Sequence, residues 1–320
     1  MTLYLVTILL IPLFTFSKYK YGLLSRLAII LLYVLFVYMH IDSGPDHEVY
    51  RWYYENDAYS SSLEPLFSLC YILARAINLD YEGFLIAFRF LNAILFSIFV
   101  LKAKKESLMF FLVMYIPFSF ITFELNLLRQ SLSLHFALIA YINFSSSKMK
   151  WTFFYIIMAI LSHISAIIML FIFVKKINSK LLLSLAAVIV FAMFNYELIM
   201  LKFVAYNDLG DFVPRFDSFA LQLLLLLLLP FIFFTFPGAV VPILIYLMIV
   251  CFSFIPLLVR LYPIALFFLL PYARFRYSSK FYLVILISIS LCLTMMKTYL
   301  LIQYDRVGID TGVIKSGYVK

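Results

Sequence analysis

Apolar runs of roughly 18 to 22 residues recur along the chain with short polar stretches between them, the length a helix needs to cross about 30 Å of hydrocarbon. They predict crossings at about 3–16, 22–40, 83–101, 108–123, 127–144, 181–200, 219–236, 239–259, 261–272 and 281–301. A transmembrane β-barrel would need apolar and polar positions in alternation, whereas 221–229 is leucine everywhere except Gln222. Such a segment satisfies its own backbone in hydrocarbon only as a helix. The expected fold is therefore all-α, a polytopic transmembrane helical bundle of about ten spans that forms one integral membrane domain over 1–320. Two more apolar segments, 63–78 and 151–174, are expected as re-entrant or interfacial helices on grounds of charge.

Composition excludes a water-soluble fold. With 66% hydrophobic residues, 13% charged residues and 36 Phe, and a mean hydropathy of +1.06, the chain lacks the polar surface that 320 residues need in water. The net charge of +9 comes mainly from short Lys and Arg clusters between apolar runs, the pattern of cytoplasmic loops and not of a nucleic-acid surface. Lys18 with Lys20 and Arg26, Lys102 with Lys104 and Lys105, Lys148 with Lys150, Lys175 with Lys176 and Lys180, and Arg274 with Arg276 and Lys280 hold more than half of the 25 basic residues. Placing all these clusters inside leaves both termini outside. It also keeps 63–78 and 151–174 from crossing, because either crossing would put Lys clusters on the wrong side. Two half-length helices meeting at His163 reconcile the charges of 151–174; one tilted helix that violates the rule is the alternative. The run from Thr2 has no basic residue before it and no small-residue cleavage pattern after it, so it is expected to stay as a helix. Cys70, Cys251 and Cys292 lie in apolar segments without metal-ligand spacing and read as small core hydrophobes.

Ionisable side chains in such a chain are costly, and each is a functional candidate by default. The outer loop 41–64 carries Asp42, Asp46, Glu48, Glu55, Asp57 and Glu64 against Arg51 alone, with Tyr50, Trp52, Tyr53, Tyr54 and Tyr59 among them. These rings either form an interfacial belt or stack on sugar faces. Asn126, Arg129, Gln130 and Ser133 fall at i, i+3, i+4 and i+7, so they line one face of a helix. Arg129 stands out because its guanidinium stays charged and its planar fork matches phosphate oxygens. A salt bridge to Glu124 or to another acid is the structural alternative. Arg89 with Asn92 repeats the pattern, with a structural ion pair as its alternative, and Arg215 and Arg260 either complete an anion site or anchor at the interface.

The order of Asp42-Ser43-Gly44-Pro45-Asp46 with Tyr50, then Glu64-Pro65, then Asn126 with Leu128-Arg129-Gln130-Ser131-Leu132, then His163-Ile164-Ser165-Ala166 resembles the EpsG-like branch of the Wzy-type bacterial polysaccharide polymerases. The similarity covers about 42–166 and extends more loosely through Arg260. It implies a multi-pass inner-membrane glycosyltransferase of O-antigen or capsule synthesis, working on the periplasmic face. Such an enzyme moves a growing glycan from undecaprenyl pyrophosphate onto the end sugar of an incoming lipid-linked repeat unit. Donor and acceptor are then both lipid-linked and membrane lipid surrounds them. No cofactor is implied, and whether a chain-length regulator binds stays open.

The chemistry suits the residues independently of that resemblance. Breaking a glycosyl phosphate bond develops negative charge on the pyrophosphate, which fixed cations in a partly dry cavity stabilise. Arg129, Arg89, Arg215 and Arg260 are the candidates. The attacking hydroxyl needs a base within hydrogen-bond reach, for which Asp46, Glu48 and His163 are candidates. Asp42, Tyr50, Glu64, Asn126 and Gln130 are the candidate substrate contacts. His163 on its apolar background also reads as a hydrogen-bonded core residue, and His47 and His135 are weaker candidates. Asp42, Asp46, His47 and Glu48 match no familiar metal spacing, so no metal is expected. With eight glycines and no Gly-rich phosphate loop, a nucleotide-sugar donor is disfavoured. The rival readings are a flippase or transporter of lipid-linked sugar and a membrane O-acyltransferase acting on polysaccharide. Transporters commonly show two similar halves, which 1–149 and 150–320 do not. An acyltransferase needs its His and Arg within reach of an acyl donor, at the cytoplasmic side or mid-membrane, whereas the polar set here gathers outside.

Overall fold

A computed structural model describes residues 22–41, 47–56, 64–115, 120, 122–173, 190, 232–234, 240–251, 269–270, 273–275, 288, 292 and 295. In chain order these form α1 (Leu23–Met39), α2 (His47–Glu55), α3 (Pro65–Ala76), α4 (Tyr81–Lys102) and α5 (Lys105–Tyr115). A π-helical turn (Thr122–Asn126), α6 (Leu128–Ser145), α7 (Met149–Ser162) and a 3-10 helix (Ile164–Phe173) follow. Strand β1 (Ile232–Phe234), α8 (Val240–Cys251) and strand β2 (Ala273–Phe275) complete the described elements, with β1 and β2 antiparallel and Phe233 opposite Arg274.

Several of these elements fall where the apolar runs predict them. The run 22–40 is α1, 83–101 lies inside α4 and 127–144 is matched by α6. Among the described residues α4 is long and apolar enough to cross a membrane, and α1, α3 and α7 are shorter apolar helices. Asp80 starts α4 by accepting the Gly83 N–H at 2.8 Å, and Lys102 sits in its last turn, where a cation opposes the helix dipole. Helix α3 opens on Pro65, suited to a first position whose N–H has no helical partner. Its 12 residues reach only about 18 Å, too short to cross, in keeping with the expectation for 63–78. The segment 151–174 is broken at His163, whose φ of −159° and ψ of 131° are extended between α7 and the 3-10 helix.

Three expectations change. The run 108–123 is not α-helical throughout: it is α-helix up to Tyr115 and a π-helical turn from Thr122, with 116–119 and 121 outside the described residues. Within 219–236, β1 is extended between Pro230 and Pro237, residues that lack an N–H and bias their predecessors away from the α conformation. Among the described residues the fold is helical apart from one short two-stranded ribbon. Cys292 is exposed and lies outside the core, while Cys70 is half-buried. The expected spans 3–16 and 181–200 lie outside the described residues except for Val190, as does most of 261–272 and 281–301.

Side-chain register fixes the helix directions. Arg26 near the start of α1 donates to the carbonyls of Val100, of Leu101 at 3.0 Å and of Ala103 at 2.8 Å, near the end of α4. Tyr33 stacks on Phe96 at 4.1 Å, and Arg89 reaches the Ile41 carbonyl at 3.3 Å, so α1 and α4 are antiparallel. Asn92 donates to Ser131 at 3.2 Å and Phe96 meets His135 edge-on at 5.9 Å, so α4 and α6 run parallel. Ser133 donates to the Ala159 carbonyl at 2.9 Å and Phe136 packs on Tyr155 at 6.3 Å, so α7 returns antiparallel to α6. Arg26, Lys102, Lys104, Lys105, Lys148 and Lys150 consequently share one end of the bundle, as the charge pattern predicts for a single membrane face. Helix α6 is the buried centre, with Leu132, Leu138, Ala140 and Tyr141 all at 0% exposure. The outward faces of α1, α4 and α7 instead show Leu24, Leu31, Phe90 and Ile157, apolar surface suited to lipid.

These directions place Ser147 and Asn56 at opposite ends of the bundle. Ser147→Cys and Asn56→Cys, tested separately with an impermeant maleimide, are expected to label from opposite sides of the membrane. Labelling of both from one side contradicts the helix directions.

Candidate active site

Three chain segments converge at the end of the bundle opposite the basic clusters. Glu64 immediately precedes α3 and is fully buried. Arg129 stands in the first turn of α6, and its Nη1 forms an ion pair with Glu64 Oε2. His163 occupies the break after α7, with Nε2 at 3.3 Å from Glu64 Oε1. The carboxylate is thus held from two sides, one oxygen by a guanidinium and the other by an imidazole. Ionised carboxylates at such depth are stable only when compensated in this way, and losing one partner strands the charge.

The surrounding residues orient this triplet. Arg129 Nε donates to the Tyr50 hydroxyl at 3.3 Å, and its guanidinium carbon lies 5.8 Å from the centre of the Tyr50 ring. Tyr71 donates to the Tyr50 carbonyl at 3.3 Å, which anchors α2 to α3. The Gln130 amide is 3.4 Å from His163 Nε2, and Ser165 meets the other ring nitrogen, with Oγ at 2.7 Å and its backbone N–H donating at 3.2 Å. Arg129 keeps about a quarter of its side chain exposed (27%), whereas Glu64 keeps none. The cation therefore faces both the buried carboxylate and the outside. Glu64 and His163 could offer two metal donors, but among the described residues no third His, Cys, Asp or Glu gathers with them.

Of the residues expected at a site, Tyr50, Glu64, Arg129, Gln130 and His163 come together. Arg129's acidic partner is Glu64 and not the nearer-in-sequence Glu124. Asn126 belongs to the π-helical turn, and Leu127, with φ −98° and ψ 66°, separates it from α6. The expected helical stripe therefore begins at Arg129. Glu48 is exposed in a different ion-pair group, 3.9 Å from Arg51, which in turn lies 3.0 Å from Glu82. Asp42, Asp46, Arg215 and Arg260 lie outside the described residues.

Arg89 belongs to a second buried cluster. It donates to the carbonyls of Glu124 and Ile41. The Glu124 carboxylate accepts hydroxyls from Tyr33 at 2.6 Å, from Ser131 at 2.9 Å and from Tyr115, with His135 Nε2 at 3.5 Å. These partners come from α1, α5 and α6, and Arg89 adds α4, so Glu124 ties four helices together. Tyr33, Tyr115 and His135 are invisible as a group in the sequence, since each is a single polar tip in an apolar run. Ser165 enters the sequence reading only within the motif His163-Ile164-Ser165-Ala166, with no role of its own.

The model of the EpsG family matches residues 22–306. No protein of curated function and no solved structure matches the chain.

The closed Glu124 cluster should govern stability. Glu124→Ala leaves three buried hydroxyls without their acceptor and is expected to cost on the order of 3–5 kcal/mol, read as a lowered unfolding midpoint in detergent. Glu48→Gln, at an exposed ion pair, should stay within about 0.5 kcal/mol of the parent. Equal midpoints for the two variants would remove Glu124 from the framework.

Proposed function

The chain belongs to the EpsG family, a Wzy-like family of polysaccharide-polymerase type, and from that membership we propose that it polymerises lipid-linked oligosaccharide repeat units at the Glu64, Arg129 and His163 site. The growing glycan leaves undecaprenyl pyrophosphate for the end sugar of an incoming lipid-linked unit, on the periplasmic face of the inner membrane. The observation that carries this reading is the meeting of a buried carboxylate, a partly exposed guanidinium and an imidazole from three separate segments, at the end of the bundle away from its Lys and Arg clusters.

In the proposed reaction the acceptor hydroxyl oxygen bonds to the anomeric carbon of the donor sugar. The bond from that carbon to the phosphate oxygen breaks, and its electron pair leaves with the pyrophosphate. Arg129 meets the charge that develops there, where a fixed guanidinium in a partly dry site stabilises the transition state more than the ground state. The hydroxyl proton passes to the Glu64 carboxylate. This assigns the base to Glu64 in preference to Glu48, which is exposed beside Arg51, and to His163, whose Nε2 faces Glu64 itself. Tyr50 and Gln130 position the cation and the imidazole. Asp42, Asp46, Arg215 and Arg260 stay in the proposal as contacts to the glycan and the pyrophosphate.

Arg129→Lys keeps a positive charge for Glu64 but loses the planar fork. It should insert normally and lower polymer output by at least about tenfold. Arg129→Ala should abolish polymer, and a normal chain-length distribution in that variant removes Arg129 from the mechanism.

Glu64→Gln removes the proposed base at nearly constant shape and should reduce polymerisation by about 10²–10⁴. His163→Gln keeps an N–H near the position of Nε2 and should stay within about tenfold of the parent. Measured on labelled lipid-linked units in proteoliposomes, the reverse order of severity makes His163 the base and Glu64 its support.

A further inference from the structure

We infer that Ser165 is a positioning residue that holds His163 as the tautomer protonated on Nε2, so that the ring presents a proton and not a lone pair to the buried Glu64 carboxylate. His163 precedes the 3-10 helix as a cap does. The N–H groups of a helix's first turn have no partner within it, and that of Ser165 is donated to His163 Nδ1 at 3.2 Å. A backbone N–H cannot accept, so Nδ1 must present its lone pair. The Ser165 hydroxyl, 2.7 Å away, donates to the same nitrogen. The ring's one proton then sits on Nε2, which faces Glu64 Oε1 at 3.3 Å.

The opposite tautomer fails at both ends of the ring. It would set the Nδ1 proton against the Ser165 N–H and the Nε2 lone pair against a carboxylate oxygen. Water cannot relieve either clash, because His163, Ser165 and Glu64 are 6%, 5% and 0% exposed. The Gln130 amide 3.4 Å from Nε2 fits the same assignment when its oxygen faces the ring, which gives the buried Gln130 Oε1 a donor that it otherwise lacks. With Nδ1 engaged by Ser165 and Nε2 carrying a proton toward Glu64, neither nitrogen is placed to take a proton from an acceptor sugar. The ring instead orients Oε1 while Arg129 orients Oε2.

The tautomer is a property of the folded protein, whereas its catalytic consequence rests on the polymerase reading, and the two are measured separately. Full-length protein carrying 15N-histidine is placed in bilayers near neutral pH, and the His163 signals are assigned by their loss in His163→Gln. The expected result is an unprotonated Nδ1 and a protonated Nε2. Ser165→Pro, which removes both the backbone N–H and the hydroxyl, should bring in the Nδ1-protonated form and lower polymer output by about 10- to 100-fold, by analogy with other residues that fix a histidine's tautomer, whereas Ser165→Ala keeps the N–H and should hold the parent tautomer. Ser165→Thr, which keeps both donors, should match the parent in both readouts. A protonated Nδ1 in the parent, or an unchanged tautomer in Ser165→Pro, overturns the inference even if the protein polymerises. If the tautomer depends on Ser165 as expected but no variant nor the parent extends lipid-linked units, the positioning role stands and the polymerase reading falls.

Discussion

A carboxylate without access to water has to be compensated by the protein, and the compensation of Glu64 by Arg129 and His163 is the constraint on which the site depends. It sets three backbone positions at once: the entry to α3, the first turn of α6 and the exit from α7. Each helix is then docked by charge as well as by packing. Arg129 also reaches Tyr50, and so adds a polar tether to α2, whose Tyr50 and Tyr54 are buried against Phe67, Tyr71 and Phe84.

The two buried acids show how surroundings separate structural from chemical roles. Glu124 accepts three hydroxyls, and these partners occupy its oxygens on all sides. Glu64 is held instead by a cation with an exposed remainder and by an imidazole whose proton position is controlled from behind. The first arrangement has nothing to give to a ligand without breaking helix contacts. In the proposed reaction the second can exchange partners, because a pyrophosphate that attracts Arg129 would loosen one side of the carboxylate. Arg89, expected beside Arg129 as an anion-binding cation, is spent on backbone carbonyls around Glu124.

What the sequence makes legible follows from what local physics controls. Helices α1, α4 and α6 are readable from apolar runs, and the clustering of Lys and Arg foretells that α1, α4, α6 and α7 turn the same end toward one face. The break at His163 is foretold by charge as well, since an unbroken span would put Lys175 and Lys176 opposite Lys148 and Lys150. Other features depend on neighbours distant in sequence. The pairing of Arg129 with Glu64 rather than Glu124 follows from the packing of α3 against α7 and α4. The end of the stripe at Leu127 depends on a π-helical turn that helical periodicity cannot anticipate. The pair Pro230 and Pro237 was a visible signal for the extended β1 between them, and its weight against a long apolar run is where periodicity misleads.

The site residues share a placement that explains why the short and broken segments exist. Glu64 lies just before α3, Arg129 in the first turn of α6 and His163 just after α7, so each stands at a helix terminus and not on a helix side. Terminal backbone groups lack partners within the helix, and at membrane depth they are tolerated only where protein or a wet cavity surrounds them. Helices of full span would carry their termini into the headgroups and leave only side chains at this level. The 12 residues of α3 and the 14 of α7 stop short of that, bringing extended backbone and its freed N–H groups to the site. The Ser165 N–H on His163 is one such group at work: a donor that a continuous helix through 151–174 would have consumed internally becomes available to set the protonation of a side chain.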